Sequence, residues 1–479
     1  MNKRVIIECM QGLGDTVYHR PLARKLLAMG HDVYVRSAWP QLWSDLPVKL
    51  LPFDSELPVQ KANVNAFTGE YSDNPDSPYL RIRPTYGAMH FAQDMSIMSA
   101  LYETSGLPDG AVDFTLPLRE GKKTNLAIVH PPVIREEWRN VARPNDPKYM
   151  QLIIDNHPEF DWVEVRYPGE MLYGEPLRGT RIVSPPTTEQ LVSLLASAVV
   201  IVTCPGFMIP LGIALRTPTL ALYGGDLPDR LLVDKWMLGA PYEAVEPKPF
   251  CACGISSRHR EDLCNRTLDP REVLAAFKRV GCASLLDWRG EYGYYPVHVN
   301  GQYDKGYFEN YHRLEQTDMG HKLNEFRVDI THRHFAGARL LDIGPGACTF
   351  VKATSALGLD INPATIEELK RLGRYQSPEL LSYIDVATFW DSLEHISLED
   401  LEKLFKLIQT GCVVSMPIYD DRDHVLRSRH FKPAEHMHYW TDQGFVTFME
   451  SYGFRLQVKS DFETRLGREG IMTYVFVRT

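Results

Sequence analysis

Residues 340–350 read LLDIGPGACTF, residues 356–362 read ALGLDIN, and residues 385–396 read DVATFWDSLEHI. In the first, an apolar strand of Arg339, Leu340 and Leu341 runs into Asp342 and then into the turn Gly344-Pro345-Gly346. Glycines at such a turn let the backbone come close to a ligand and bend tightly into a helix. The second stretch is a strand ending in Asp360, where a carboxylate can hold both hydroxyls of a ribose. The third ends in Asp391, ahead of the helical Ser392-Leu393-Glu394-His395. Three successive strand ends, each with an acid, describe the crevice above a parallel sheet in which nucleotide-like ligands bind.

A glycine turn by itself also serves NAD enzymes. With its neighbours it resembles the class I S-adenosylmethionine-dependent methyltransferases, over roughly residues 303–479. Upstream, Tyr303-Asp304-Lys305-Gly306-Tyr307-Phe308 is similar to the aromatic opening segment of that family's glycan and small-molecule members. Downstream, Phe431-Lys432-Pro433-Ala434-Glu435-His436-Met437-His438-Tyr439-Trp440 and Gly453-Phe454 are similar to its acceptor-side loop and the following helix. The resemblance implies that Tyr303, Asp342, Gly344, Gly346, Asp360 and Asp391 surround S-adenosylmethionine. It also places His395, His436 and His438 near an acceptor that must lose a proton, a task suited to imidazole; His436 is preferred, and His395 could instead cap its helix. Two departures stand out. Only residues 351–357 separate the turn from the second strand, which predicts a first helix of about two turns or less. Cys348 stands where a third glycine is usual. A domain that keeps the fold without catalysis is the competing expectation.

The chain has 479 residues, enough for about three domains at ~150 each. Hydrophobic residues make up 44% and charged residues 24%, ordinary for a globular protein. No stretch approaches the ~20 apolar residues of a membrane span. A net charge of −9 argues against a broad non-specific grip on a phosphate backbone. Nucleic acid therefore enters only as an acceptor. Eight cysteines are too few for a disulfide scaffold, and MNKRVIIECMQGLGD at the start reads as strand and turn, not as a secretory leader. A cytoplasmic location is expected.

The first 280 residues read as two further α/β units. Residues 3–8 form an apolar strand, Gln11-Gly12-Leu13-Gly14-Asp15 a glycine loop, and residues 16–29 a helix with Val17, Leu22, Leu26 and Leu27 at helical spacing. A helix is also expected over residues 88–103. The second unit opens with the strand 125–130. Its later part alternates between helix (191–198), strand (199–202), helix (207–215) and strand (219–223). Gly206, Phe207 and Met208 after one strand, and Gly224 and Gly225 after the next, offer backbone N–H groups to an anion.

This half resembles the heptosyltransferase-like glycosyltransferases, a two-Rossmann (GT-B) family, on Gly12-Leu13-Gly14-Asp15-Thr16-Val17 with Pro21-Leu22, on His130-Pro131-Pro132 with Arg135, Trp138 and Arg139, and on Cys204-Pro205-Gly206 to Gly224. The resemblance implies that Asp15 is the general base on an acceptor hydroxyl and that Arg135 or Arg139 meets the donor diphosphate. It implies a nucleotide sugar as co-substrate and a glycan or other hydroxyl-bearing acceptor. The family usually has Asp before the donor-motif glycine and His after it; this chain has Cys204-Pro205 and no His, so the donor's identity does not follow. Sugar transfer needs a base at the acceptor and positive charge at the departing diphosphate. Against these roles, Asp15 could be a helix cap, and Arg135 and Arg139, which flank Glu136 and Glu137, could line a solvated helix face. Cys251, Cys253, His259 and Cys264 could bind a structural zinc, although CxC is less usual than CxxC. No catalytic metal is expected.

The expected fold is α/β: two Rossmann-like GT-B domains (1–120, acceptor; 121–280, donor nucleotide), a joint at 281–300, and a class I methyltransferase domain at 301–479. The joint is aromatic and unlike a flexible Gly/Ser linker. The expected function is bifunctional: adding a sugar, O-methylating a sugar, or both, on a glycan or other polymer acceptor. The alternatives are an active methyltransferase beside a non-catalytic GT-B scaffold, and a phage-type enzyme acting on a nucleic-acid base.

Overall fold

The structure, a computed structural model, describes residues 3–55, 57–108, 113–117, 125–131, 133–134, 145–166, 171–172, 175–233, 241–251, 266–295, 305–433 and 435–479. It divides into two compact units, Met1–Ser284 and Leu285–Thr479.

The first unit holds two parallel sheets. One has four strands in the order Lys49–Leu51, Asp32–Arg36, Arg4–Glu8, Tyr79–Ile82. The other has six, in the order Tyr242–Val245, Thr219–Leu222, Val200–Thr203, Leu126–His130, Asp161–Val165, Arg181–Val183. The central strands are apolar in their middles because helices cover both faces of a parallel sheet; Val200–Thr203 and Thr219–Leu222 are buried throughout. Val5, Ile7 and Leu22 share one core cluster with Ile128, Ile201 and Leu211, so residues from both sheets pack together. The helix expected from residue 16 begins earlier, at Leu13, and runs to Ala28. That expected over 88–103 is two helices, Ala88–Ala92 and Ile97–Ser105; Asp94, at φ +60°, lies in the break.

The second unit is built on a six-stranded sheet in the order Leu357–Leu359, Leu340–Ile343, Ile384–Trp390, Ile408–Pro417, Ile471–Arg478, Phe454–Ser460. The first four are parallel, and Ile471–Arg478 is antiparallel to both its neighbours. The helix after the glycine turn is Thr349–Thr354, six residues, as its short spacing predicts. Pro363–Arg371 shows how the chain fixes the next turn: Asn362 Oδ1 accepts from Ala364 N at 3.0 Å, proline takes the first helical position, and Lys370 and Arg371 close the last turn. Part of the segment read as a joint is regular structure. Asp287–Trp288 and Tyr292–Tyr294 form a hairpin, and the latter pairs antiparallel with His438–Trp440.

Among the described residues, no helix is long and apolar enough to cross a membrane.

Candidate functional site

At the strand ends of the second unit, Gly344 (φ +73°) and Gly346 (φ +54°) both take left-handed backbone, which costs a side-chain-bearing residue strain. Cys348, where a third glycine is usual, takes the same conformation at φ +65° and is buried. The two glycines differ in surroundings. A Cβ at Gly344 would stand 2.7 Å from Ser392 Cβ, whereas one at Gly346 would meet nothing nearer than Glu315 Oε1, at 3.8 Å. The turn is thus packed on one side and open on the other.

Asp342 pairs in register with Thr388 and accepts from its Oγ1 at 2.7 Å. Its other oxygen is buried with no hydrogen-bond partner. Burial pushes its pKa up to about 7, with Thr388 working against the rise. Asp360 accepts from Asn362 N at 2.7 Å and from the backbone N–H groups of Ile361 and Gly346. Burial raises it to about 6 despite those donors. Gly344, Gly346, Asp342 and Asp360 therefore come together as expected from sequence. Glu315, at the end of the helix Lys305–Glu315, was not foreseen. It accepts from Thr349 Oγ1 and faces the open side of Gly346. No local pattern marks it, because the contact joins segments 31 residues apart.

Asp391 stands differently from its expected ligand role. Its backbone is left-handed at φ +55°, and its Oδ2 is shared by Arg327 (3.1 Å) and Arg468 (2.9 Å). Both arginines also bind buried Glu463, Arg327 at 3.1 Å. Burial disfavours the charge on Asp391, but Arg468 and Arg327 outweigh it and hold its pKa below the usual carboxylate range. One oxygen of Asp391, Oδ1, is buried without a hydrogen bond.

Three residues past Asp391, Glu394 is 2% exposed. Apart from its own backbone N–H, its carboxylate meets no hydrogen-bond donor among the described residues. Burial first, then the charge of Asp391, pushes its pKa up to about 8. Beside it the rings of His395 and His436 meet edge to face, with centroids 4.6 Å apart. Met437 N donates to Glu394 O at 2.9 Å, holding the segment that carries His436 on this turn. His438 does not join the cluster. Its Nδ1 lies 2.6 Å from Tyr292 Oη and its Nε2 2.8 Å from Ile396 O. The carbonyl can only accept, so Nε2 carries the proton and Nδ1 takes the tyrosine's. Burial lowers its pKa to about 4. The base role expected of His438 is corrected on these grounds: both ring nitrogens are committed to the fold.

In the first unit, the glycine loop meets the segment that follows Val200–Thr203. A Cβ at Gly14 would stand 3.1 Å from Phe207 Cα, and the Phe207 ring lies 5.3 Å from that of His130 at the end of Leu126–His130. Gly206 is open, with only Cys204 O near a Cβ at 3.9 Å. Met208 opens the short helix Met208–Ala214. Gly224 and Gly225 are buried, and Asp226 N donates to Cys251 O at 3.0 Å. Asp15 lies in the first turn of its helix. Its Oδ2 accepts from Gly12 N at 3.2 Å, a reach back to the helix start, and its Oδ1 accepts from Tyr86 Oη.

Tyr303, Arg135 and Arg139 lie outside the described residues, as do Cys253, His259 and Cys264 of the suggested zinc set. Cys251 is half-buried.

No curated protein sequence is significantly similar to the chain. Similar solved structures include glycosyltransferases and methyltransferases. The iron-containing dodecameric glycosyltransferase TibC of enterotoxigenic E. coli H10407 is 14% identical (TM-score 0.35), over 49% of this chain; the chain spans 64% of that protein's length. E. coli ADP-heptose lipopolysaccharide heptosyltransferase II is 15% identical (TM-score 0.39), over 58% of this chain and 98% of that one. Magnesium protoporphyrin IX methyltransferase from Synechocystis PCC 6803, solved with S-adenosylhomocysteine, is 12% identical (TM-score 0.30), over 37% of this chain and 96% of that one. Residues 311–458 match the family profile described as a methyltransferase domain. That span holds the glycine turn, Asp360 and the Glu394–His395–His436 cluster, so the crevice at these strand ends lies within the residues that match the methyltransferase-domain profile.

Proposed function

We propose that the chain is a bifunctional transferase, with S-adenosylmethionine-dependent methyl transfer in its second unit and sugar transfer from a nucleotide donor in its first. The observation that carries the methyl-transfer reading is the meeting of Gly346, Asp360 and Asp342 at adjoining strand ends within residues 311–458. Asp342 and the open side of Gly346 fit such a cofactor: the first offers a buried carboxylate oxygen with no partner, the second a cradle that a Cβ would fill. Bound there, S-adenosylmethionine would supply a methyl group activated by its sulfonium.

The chain's own residues orient and enclose. Asp360, ionised above about pH 6, takes the ribose hydroxyls. Glu315 faces the open side of that turn and would offer a carboxylate to a cationic group held there. His436, against His395, is the acceptor-side group. Calorimetry with S-adenosylhomocysteine on the full chain tests this reading; absence of binding refutes it. Labelled S-adenosylmethionine in lysate, followed by mass spectrometry of the products, would identify the acceptor, for which a glycan is the leading class.

The sugar-transfer reading is supported by the contact of Gly14 with Phe207, which joins the glycine loop and the donor motif at one place. Asp15 there is the proposed base. A second reading, in which the first unit only presents substrate, is favoured by the hydrogen bond from Gly12 N to Asp15, a capping role that needs no chemistry. Turnover of a panel of nucleotide sugars separates the two.

A further inference from the structure

Glu394, His395 and His436 present one carboxylate oxygen and two imidazole nitrogens whose ligating atoms all lie within 4.8 Å of one another. A tetrahedral divalent ion with ligands at about 2.1 Å sets its ligand atoms about 3.4 Å apart. Side-chain shifts of at most about 0.7 Å by each atom of a pair would therefore close the set. Glu394 is the telling member. A buried carboxylate is ordinarily hydrogen-bonded or paired, yet this one meets only its own backbone N–H among the described residues. The nearby cations do not fill the gap. Arg468 is bound to Asp391 and Glu463, and Lys432 to Glu435 at 3.2 Å. The main chain also holds the cluster together, because Met437 N donates to Glu394 O at 2.9 Å and His436 N to Lys432 O at 2.8 Å.

We propose that these three residues form a binding site for a divalent first-row transition ion at the acceptor edge of the methyltransferase crevice. Two imidazoles and one carboxylate match zinc and iron(II) best, and three protein ligands leave coordination positions open. Ser392, which packs on Gly344, lies two residues before Glu394 and places the cluster next to the cofactor turn. On the methyl-transfer reading, on which this role rests, an open position would take the acceptor's hydroxyl oxygen and lower its pKa. The proton would go to solvent, and the oxygen's electron pair would form the new bond to the methyl carbon. The carbon–sulfur pair would stay on sulfur, leaving a neutral thioether. His436 then acts as a ligand and not as the proton acceptor.

The test uses the full chain, stripped with a chelator and titrated with Zn²⁺ or, anaerobically, with Fe²⁺, in parallel with Glu394→Gln, His395→Gln and His436→Gln variants. The exposed His321→Gln serves as control. The expected result is one ion per chain for wild type and control, with affinity weaker by at least about tenfold in each cluster variant. An ion bound equally well by all three cluster variants would place the site elsewhere, at the buried His157–Glu159–Cys282 group or the Cys251 loop, and would overturn the proposal. Failure of stripped wild type to bind either ion would do the same. Circular dichroism confirms that each variant is folded, and the three independent substitutions keep one misfolded protein from deciding the outcome. Calorimetry with S-adenosylhomocysteine on wild type separates the two levels: binding of S-adenosylhomocysteine without metal sinks this inference alone, and no S-adenosylhomocysteine binding sinks the methyl-transfer reading.

Discussion

Gly344 and Ser392 touch across two strand ends: a Cβ on the glycine would stand 2.7 Å from the serine's Cβ, and Ser392 Oγ donates to Ile343 O at 2.5 Å. Gly346, two residues on, is left-handed too but has open space beside it. The two alanine variants should therefore fail differently. Gly344→Ala meets both strain and a clash and should destabilise the second unit by about 2–4 kcal/mol. Gly346→Ala meets strain alone, about 1–2 kcal/mol, but puts a methyl group where the ligand should lie. Calorimetry should show a lower Tm for Gly344→Ala. Gly346→Ala should lose S-adenosylhomocysteine affinity out of proportion to its small change in Tm.

Asp360 should govern cofactor affinity. Replacing it with Ala removes a charge-assisted contact worth on the order of 1.5–3 kcal/mol, or roughly ten- to over a hundredfold in Kd. Since burial sets its pKa at about 6, wild-type affinity for S-adenosylhomocysteine should weaken as pH falls through that value. Unchanged binding in Asp360→Ala, or a flat profile from pH 8 to pH 5, would contradict the ribose assignment.

Asp342 makes a prediction about stability. Its folded pKa of about 7 lies above the ordinary aspartate value, so the folded state holds the proton more tightly than the unfolded state between about pH 4 and pH 7. Stability from this group is present at low pH and is lost as pH rises through 7. Asp342→Asn removes the dependence and should be the more stable protein at pH 8, by at most about 4 kcal/mol. Near pH 4.5 the two should differ little. Denaturant titrations of the ligand-free chain at the two pH values provide the comparison.

Arg327 bridges Asp391 and Glu463, and the Glu463 side chain is fully buried. Arg327→Met keeps the bulk that lies over the Trp390 ring but leaves two carboxylates facing one arginine. Breaking a buried pair in this way costs about 3–5 kcal/mol. An unfolding midpoint within error of wild type would show that the cluster is adequately solvated.

Asp15→Asn separates base from cap. Asparagine can still accept from Gly12 N, so the helix should lose at most about 1 kcal/mol. Loss of a general base costs about 10²–10⁴ in rate. A folded variant with intact methyl transfer and abolished sugar transfer is expected. An equally active variant would leave Asp15 with its hydrogen bonds to Gly12 and Tyr86 as its only role.

Features carried by neighbouring residues were legible in the amino-acid order. The left-handed turn at 344–346, the strand ending at Asp360 and the six-residue helix follow from glycine's backbone freedom and from the short spacing to the next strand. The alternation of apolar runs and turns likewise announced the parallel strands of both units. The expected helix over 88–103 failed because a local turn at Asp94 interrupts an otherwise helical pattern.

The roles of the polar groups were decided by tertiary structure, because each depends on partners distant in the chain. His436 and His438 are two apart and indistinguishable by type. Strand pairing puts His438 between Tyr292 and Ile396 and occupies both its nitrogens, while His436 is left against His395. Asp391 sits at a strand end as Asp360 does, yet arginines 64 and 77 residues away neutralise it. Glu315 reaches the glycine turn from a helix whose sequence carries no sign of it. Backbone geometry is chosen by nearest neighbours, and a sequence states those directly. The charge, protonation and reach of a buried side chain are set by whatever the fold packs around it, and only the folded chain contains that information.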